Sequence, residues 1–249
     1  MIAALALGRK GSVGFPGKNL VPVLGRPLAW YPLEAARRAE RVDRVFLSTD
    51  DERLMDLARD RDAEVIERPA ELCTTEALGE DAYAHGYREI VRRVGEVELM
   101  VLLFCNAPTV TAELIDEGIE ALRADPERDS AVSVSVYNMW SPLRARRVGE
   151  DGLLHPFVPF ETFGDPATLN CDRDSQGDVY FADMGVSVVR PRCLERLEEG
   201  LLPQKWMGRR IFPLRQSGGL DVDYEWQVGQ AEAYLRAHGY APAAQVQTP

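Results

Sequence analysis

Residues 7–19 read Leu7-Gly8-Arg9-Lys10-Gly11-Ser12-Val13-Gly14-Phe15-Pro16-Gly17-Lys18-Asn19, and they follow directly on the apolar run Ile2–Leu7. The apolar run has the length of a buried strand, and the glycines after it predict a loop with accessible backbone N–H groups. Lysine and arginine side chains add cations to that loop. Because α/β proteins bind anions at the carboxyl ends of their strands, we expect a phosphate-binding site here.

The glycine spacing separates this loop from the best-known phosphate loops. Neither G-x-x-x-x-G-K-[ST] nor G-x-G-x-x-G can be aligned with the glycines at positions 8, 11, 14 and 17. The alternative interpretation is that the basic side chains are only solvated loop cations. The glycines, and the motifs that follow along the chain, favour the phosphate site.

Short apolar segments alternate with segments of helical spacing, which is typical of βαβ units and a mostly parallel sheet. Strands are predicted near Ile2–Leu7, Val45–Ser48, Glu64–Ile66, Leu99–Phe104, Ala131–Val136 and Met184–Val189. Helices are predicted over Leu28–Glu40, Glu52–Asp60, Ala77–Val94, Ala112–Ala124 with Thr111 as its N-cap, and Tyr224–His238. The pattern predicts a doubly wound α/β fold.

The chain length of 249 residues suits one α/β domain over residues 1–249. Residues 138–180 lack a regular period and are rich in proline, glycine and aromatic side chains. A segment of that length without periodicity predicts an inserted arm used for an interface or for an acceptor.

Composition excludes several classes of function. A net charge of −11 opposes binding to nucleic acid, because a protein that contacts a phosphate backbone needs a positive surface. The cysteines are too far apart in sequence for a recognisable zinc site or disulfide framework, which favours a reducing compartment. The apolar segments are too short for a membrane span, so we expect a cytoplasmic protein.

The opening loop resembles the motif A-R-x-G-S-K-G-x-x-x-K-N of the CMP-acyl-sugar synthetases, which are cytidylyltransferases for sialic-type and 3-deoxy-ulosonic sugar acids. The matching residues are Arg9, Gly11, Ser12, Gly14, Lys18 and Asn19, whereas Val13 stands where the family usually has lysine. Further similar motifs follow in order, namely Gly25-Arg26-Pro27-Leu28 with Glu34-Ala35-Ala36, Ser48-Thr49-Asp50-Asp51-Glu52, Arg68-Pro69 with Glu71-Leu72, and Leu220-Asp221-Val222-Asp223. The resemblance implies a Rossmann-like fold.

The resemblance also implies a reaction, in which CMP passes from CTP to a small anionic acceptor and pyrophosphate is released. Arg9 and Lys18 are the predicted catalytic residues, because such transfers need charge neutralisation and in-line positioning. The predicted nucleotide-binding residues are Leu7, Gly8, Arg9, Gly11, Ser12, Lys18, Asn19, Arg68 and Asn106. For Arg68 the sequence leaves two interpretations, which are contact with the nucleotide and an exposed surface position without a function.

Asp221 and Asp223 are the predicted metal ligands. Alternate residues on an extended segment point to one face, so both carboxylates can share a hard cation such as Mg²⁺. Alternating acids on a surface strand are also common, and the resemblance to the metal-binding I-D-I-D motif favours the metal site. By contrast, the Ser48–Glu52 segment has the composition of an ordinary helix N-terminus and is interpreted as scaffold.

The chain departs from the family motif L-Q-P-T-S-P-L-R, for which it has Leu103 to Val110. Phe104 replaces the glutamine and Val110 the arginine, so two polar contacts cannot be carried over. Cys105 is expected to be a buried apolar residue, since nothing supplies a paired base. The acceptor is therefore either a sugar acid or a smaller phosphonate or phosphonocarboxylate.

Alternative functions are guanylyl transfer to a sugar phosphate and a silent nucleotide-binding module. Related synthetases use the inserted segment for dimerisation, which implies a homodimer. No nucleic-acid or membrane partner is expected.

Overall fold

The computed structural model describes residues 1–11, 14–172 and 177–243. In chain order its strands are β1 (Ile2–Leu7), β2 (Pro22–Val23), β3 (Arg26–Pro27), β4 (Arg44–Thr49), β5 (Glu64–Glu67), β6 (Leu99–Phe104), β7 (Ser130–Val136), β8 (Arg146–Val148), β9 (Leu154–Pro156), β10 (Tyr180–Val189) and β11 (Ile211–Gln216). The α-helices are α1 (Trp30–Arg38), α2 (Glu52–Asp60), α3 (Gly79–Val94), α4 (Ala112–Ala124), α5 (Pro191–Glu195) and α6 (Gln227–Ala237).

Within these ranges seven strands form one sheet, in the order β11-β7-β10-β6-β1-β4-β5. Strand β1 runs parallel to β4 and β6, β4 to β5, and β7 to β11, whereas β10 runs antiparallel to both of its neighbours. The chain leaves β1 toward β4 and later returns to β6 on the other side. This reversal leaves a crevice at the carboxyl ends of β1 and β6, where α/β folds bind ligands.

Helices cover both faces of the sheet. Even-numbered residues of β1 pack in one core with α1, α2 and α4, and odd-numbered residues pack in a second core with α3 and α5. Because both faces are covered, β1 is a continuous apolar run rather than an alternating one. The predicted doubly wound, mostly parallel fold is confirmed.

The regular elements agree with the sequence prediction at most positions. The predicted bounds of β1, β6, α2 and α4 match the structure, and the Thr111 side chain accepts a hydrogen bond from the Leu114 backbone N–H at 3.2 Å, as an N-cap does. Strand β11 was not predicted. It contains Pro213, and of its residues only Leu214 is buried, which is typical of an edge strand and weakens its apolar signal.

Strand β10 begins at Tyr180, earlier than the predicted Met184. Its pairing with β7 shifts between Ala182 and Ser187, and Met184 has a φ of +60° within the irregular part. A bulge of this kind breaks the period on which the strand prediction depends.

Residues 138–172 form short 3-10 turns and the hairpin of β8 and β9. Several large apolar side chains of this part are exposed, among them Trp140 and Phe157. Among the described residues, no helix combines the length and the apolar character needed to cross a membrane.

Candidate active site

The predicted phosphate loop, residues 8–19, leaves the sheet where β1 and β6 end side by side. Leu7 lies opposite Phe104 in the parallel ladder, and the Cys105 N–H donates to the Leu7 carbonyl at 2.9 Å. A Cβ on Gly8 would lie 2.8 Å from the Cys105 sulfur, so only glycine fits this close approach. Gly8 therefore sets the point at which the loop turns away from β6.

Polar contacts hold the loop at both ends. The Arg9 guanidinium donates to the Cys73 carbonyl at 3.2 Å, and the Asn19 amide donates to the Arg9 carbonyl at 3.3 Å. Gly17 takes a left-handed φ of 72°, after which Lys18 begins a 3-10 turn. Of the other predicted loop residues, Gly11 is exposed with a φ of +80°, and Ser12 lies outside the described residues.

The two predicted metal ligands lie beside this loop, although they come from the far end of the chain. The Lys18 ammonium forms an ion pair with the Asp223 carboxylate. The Asn106 amide nitrogen lies 3.4 Å from an Asp221 carboxylate oxygen and 3.3 Å from one of Asp223. A cation from the first loop and both carboxylates thus meet in one place.

Val222 explains why both carboxylates face the same way. Its side chain is buried, its N–H donates to the Asn106 carbonyl at 2.8 Å, and its carbonyl accepts from the Asn106 side chain at 3.2 Å. With Val222 fixed on the inner side of an extended segment, Asp221 and Asp223 turn to the other side. Burial, and then the charge of Asp223, raise the pKa of the Asp221 carboxyl.

The donor set fits a magnesium ion. Mg²⁺ is commonly bound by one or two carboxylates together with waters and substrate phosphates. Among the described residues, no group of three or more His, Cys, Asp or Glu side chains could hold a metal by itself. Asp221 and Asp223 therefore suit an ion that also needs ligands from the substrate.

A cavity of about 180 Å³ opens between the phosphate loop and the start of α3. Of the predicted nucleotide-binding residues that the structure describes, all but Gly11 line it. An apolar wall that the sequence did not reveal completes the lining, and it is formed by Leu72, Ala77, Leu78, Gly79, Ala82 and Phe104. That wall comes from the segment between β5 and α3, from the first turn of α3 and from the end of β6, and the closeness of these parts to β1 is a matter of tertiary structure.

Arg68 is a buried residue of this cavity, which excludes the plain surface position. Its guanidinium donates to the Ser48 carbonyl at 2.7 Å and to the Ser48 hydroxyl at 3.3 Å, and burial lowers its pKa. Asp51 accepts from the Arg53 N–H as the N-cap of α2, so the helix N-terminus predicted at residues 48–52 is confirmed.

The residues that depart from the family motif occupy apolar surroundings. Phe104 packs edge-on against Tyr83 and Trp206, with ring centroids 5.3 and 6.1 Å apart, and Val110 is buried in the core. Cys105 is fully buried, and burial raises the pKa of its thiol to about 12, so its predicted apolar role is confirmed.

A second cavity, of about 640 Å³, adjoins Asp221 on the side of β10 and α6. Its walls combine aromatic rings with amides, and they include Tyr137, Trp140, Phe181, Trp226, Gln227, Gln230 and Tyr234. Sequence reasoning did not identify this cavity. The unusual aromatic content of residues 137–181 was its only signal in the sequence.

Comparison with known proteins identifies the family of this chain. The family model described as "Cytidylyltransferase" matches residues 3–148. The chain belongs to the cytidylyltransferase family. The matched range contains the phosphate loop, Arg68 and Asn106, whereas Asp221 and Asp223 lie beyond it.

Two curated relatives illustrate the family. A 3-deoxy-manno-octulosonate cytidylyltransferase of Anaeromyxobacter dehalogenans is 34% identical over 123 residues, which is 49% of this chain and 48% of the relative. An N-acylneuraminate cytidylyltransferase of Oncorhynchus mykiss is 27% identical over 239 residues, or 96% of this chain and 51% of the relative. The chain spans about half the length of these relatives.

Solved structures share the fold of this chain. A CMP:2-keto-3-deoxy-manno-octonic acid synthetase complexed with CTP superimposes with a TM-score of 0.66 at 16% identity, covering 95% of this chain and 99% of the other. A 4-diphosphocytidyl-2C-methyl-D-erythritol synthase of Anaerococcus prevotii has a TM-score of 0.63 at 15% identity, covering 94% and 96%.

Proposed function

We propose that this protein transfers CMP from CTP to a sugar acid in a Mg²⁺-dependent reaction and releases pyrophosphate. One observation carries the proposal: the carboxylates of Asp221 and Asp223 meet Lys18 and Asn106, two residues that line a cavity at the carboxyl ends of β1 and β6. The curated relatives are named as cytidylyltransferases for sugar acids, which supports this choice of substrates.

In the proposed reaction, a hydroxyl oxygen of the acceptor attacks the α-phosphorus of CTP. A new P–O bond forms, the bond from the α-phosphorus to the bridging oxygen of the β-phosphate breaks, and the hydroxyl proton passes to solvent. Arg9 and Lys18 bind the phosphate oxygens, on which negative charge builds up as pyrophosphate leaves. Mg²⁺, when held by Asp221 and Asp223, would supply further positive charge at this place.

The smaller cavity suits the nucleoside. Leu78 and Phe104 offer apolar surface to a base, while Arg68 and Asn106 place polar atoms among these apolar walls. A mostly apolar pocket with a few fixed polar groups is typical of small-ligand sites. The proposal assigns cytosine to this cavity.

The larger cavity suits the acceptor. It shares Asp221 with the metal site, so an acceptor bound in it would lie beside the triphosphate. Aromatic rings such as Trp226 can cover the apolar face of a sugar ring, and the amides of Gln227 and Gln230 can bond its hydroxyls. A cavity of about 640 Å³ has room for an eight- or nine-carbon acid.

Pyrophosphate release tests the function directly. Each of the four nucleoside triphosphates would be incubated with Mg²⁺ and with 3-deoxy-ulosonic acids, sialic acids, phosphonates or phosphonocarboxylates. We expect release with CTP and a sugar acid, and its loss in Asp223→Ala.

Other results would point elsewhere. Release with phosphonates alone would reject sugar acids as the acceptor, and release with GTP and a sugar phosphate would reject CTP. Tight binding of CTP without release under any condition would favour a silent module.

A further inference from the structure

The loop that carries the proposed metal ligands, Gly218 to Asp223, is held by buried side chains of the connection between β6 and α4 and of strand β7. Thr109 is fully buried, and its hydroxyl accepts from the Leu220 N–H at 2.9 Å and donates to the Leu220 carbonyl at 3.1 Å. One hydroxyl therefore satisfies both backbone polar groups of Leu220, the residue before Asp221. Asn106 does the same for Val222 on the other side of that aspartate.

Gly219 is fixed in a similar way by β7 and the residue after it. Its N–H donates to the Ser135 hydroxyl at 3.0 Å, and its carbonyl accepts from the Tyr137 hydroxyl at 2.6 Å. The Ser135 hydroxyl in turn donates to the Asp183 carboxylate at 2.7 Å. Because its proton is directed to Asp183, a lone pair of Ser135 is left to face the Gly219 N–H.

Asp183 anchors this arrangement from β10. Its carboxylate is buried and accepts hydrogen bonds from four donors, which are the hydroxyls of Ser133 and Ser135, the Gln216 amide and the Gly185 N–H. A Cβ on Gly219 would lie 2.2 Å from an Asp183 oxygen, so the loop is pressed against the carboxylate. Groups held this closely in a buried network have little freedom to move.

We propose that Thr109 and Ser135 are positioning residues, which fix the loop so that the carboxylates of Asp221 and Asp223 are preorganised for a divalent cation. This inference rests on the proposed function. Neither hydroxyl contacts the carboxylates, so both act through the backbone of the loop. Outer groups that orient metal ligands typically contribute about 10- to 100-fold to metal affinity.

Direct binding of Mn²⁺, measured by electron paramagnetic resonance in the presence of CTP, tests the inference without an acceptor. Thr109→Val keeps the shape of the side chain and removes its hydroxyl, and Ser135→Ala removes the other hydroxyl. We expect each to weaken Mn²⁺ binding about 10-fold or more. Thr109→Ser should restore binding toward that of the wild type. In turnover, Thr109→Val and Ser135→Ala should raise the Mg²⁺ concentration for half-maximal rate by a larger factor than KM for CTP.

Ser130→Ala separates positioning from a loss of stability. Ser130 is also a buried serine of β7, but its hydroxyl donates to the Met207 carbonyl at 2.6 Å and does not contact the loop. We expect this control to lower the unfolding temperature as Ser135→Ala does and to keep Mn²⁺ affinity. If Thr109→Val does not fold, the comparison of Mn²⁺ binding by Ser135→Ala with that by Ser130→Ala decides between positioning and a loss of stability.

The possible failures are distinguishable. Equal Mn²⁺ binding by the wild type, Thr109→Val and Ser135→Ala, with loss only in Asp221→Asn, would overturn the inference alone. Equal weakening by Ser130→Ala and Ser135→Ala would also overturn it. Absence of site-specific binding in the wild type would overturn the proposed function, and the inference with it.

Discussion

The Lys18 ammonium forms an ion pair with the Asp223 carboxylate, although 205 positions separate the two residues in the chain. The lysine side chain is 15% exposed, whereas the aspartate is 52% exposed. The cation is therefore largely shielded from water, while the carboxylate remains open to a ligand. The amino-terminal loop and the carboxyl-terminal part of the fold must both be in place before this site exists.

Removal of the Lys18 charge should slow catalysis more than it weakens folding. We expect Lys18→Met to lower kcat by about 10²- to 10³-fold, because in the proposed reaction it removes a cation that stabilises the negative charge developing on the leaving pyrophosphate. Steady-state pyrophosphate release with CTP and the accepted sugar acid measures the effect.

Lys10→Met is the matched control, because Lys10 lies in the same loop and is exposed. Its backbone N–H, rather than its side chain, bonds to Asp50 at 2.7 Å. We expect kcat within about 2-fold of the wild type, as for most surface substitutions. An equal loss of kcat in both lysine variants would mean that the total positive charge of the loop matters, and not the position of Lys18.

Local signals predicted much of the fold and part of the site. The apolar run of β1 and the capped start of α4 each depend on neighbouring residues only, and the structure agrees with both predictions. The Asp221-x-Asp223 spacing also sufficed to predict that both carboxylates lie on one side. The resemblance to a family then predicted that residues from the two ends of the sequence act at one site, and the structure brings Lys18 and Asp223 together.

The supporting residues could not be predicted in the same way. Ser133 and Ser135 alternate with valines in β7, which suggests one polar face. Their partner Asp183 lies in the irregular part of another strand, β10. The spacing of residues along the chain does not show how closely Asp183 approaches the two serines. Likewise, the apolar wall at Leu78 depends on how the segment before α3 folds back over β1.

Substitution of Asp221 tests the metal assignment. Asp221→Asn keeps the size of the side chain and removes one of two anionic ligands, so we expect a rise of at least 10-fold in the Mg²⁺ concentration for half-maximal rate. Glu225→Gln, at an exposed acidic position two residues beyond Asp223, should leave this value unchanged. Equal Mg²⁺ requirements in Asp221→Asn and the wild type would contradict the assignment.

The aromatic cavity beside Asp221 should control acceptor binding. Trp226 is 66% exposed and lines this cavity without a place in the core. Trp226→Ala is expected to raise KM for the sugar acid by about 10-fold, since a stacked ring contributes roughly 1 kcal/mol or more. KM for CTP serves as the internal reference, and a rise in that value alone would place the acceptor elsewhere.

The hairpin of β8 and β9 should contribute to a homodimer. Val148 and Leu154 lie opposite each other and are both 70% exposed, and an isolated two-stranded hairpin is only marginally stable in water. We expect Val148→Glu with Leu154→Glu to convert dimers into monomers in sedimentation velocity. Arg147→Gln, an exposed polar change on the same hairpin, should keep the dimer.

Glu34 should make folding stability sensitive to acid. It is 2% exposed and accepts hydrogen bonds from Arg37 at 2.8 Å and Arg38 at 2.6 Å, and the Arg37 contact above all holds the pKa of its carboxyl below the usual 4.5. A lowered pKa in the folded state means that the stabilisation is complete above about pH 4.5 and is lost as the pH falls through the folded value.

Glu34→Gln isolates this contribution. At pH 7 we expect its free energy of unfolding, measured in urea, to fall by about 1–2 kcal/mol, because the arginines are half exposed and solvent screens part of the interaction. The difference from the wild type should shrink as the pH falls below 4.5, because the carboxylate of the unfolded chain takes up a proton there, whereas the native carboxylate does so only at lower pH. Glu117→Gln, at an exposed position of α4, should show no such pH dependence. A constant difference between Glu34→Gln and the wild type from pH 7 to pH 3 would mean that shape, rather than charge, makes Glu34 important.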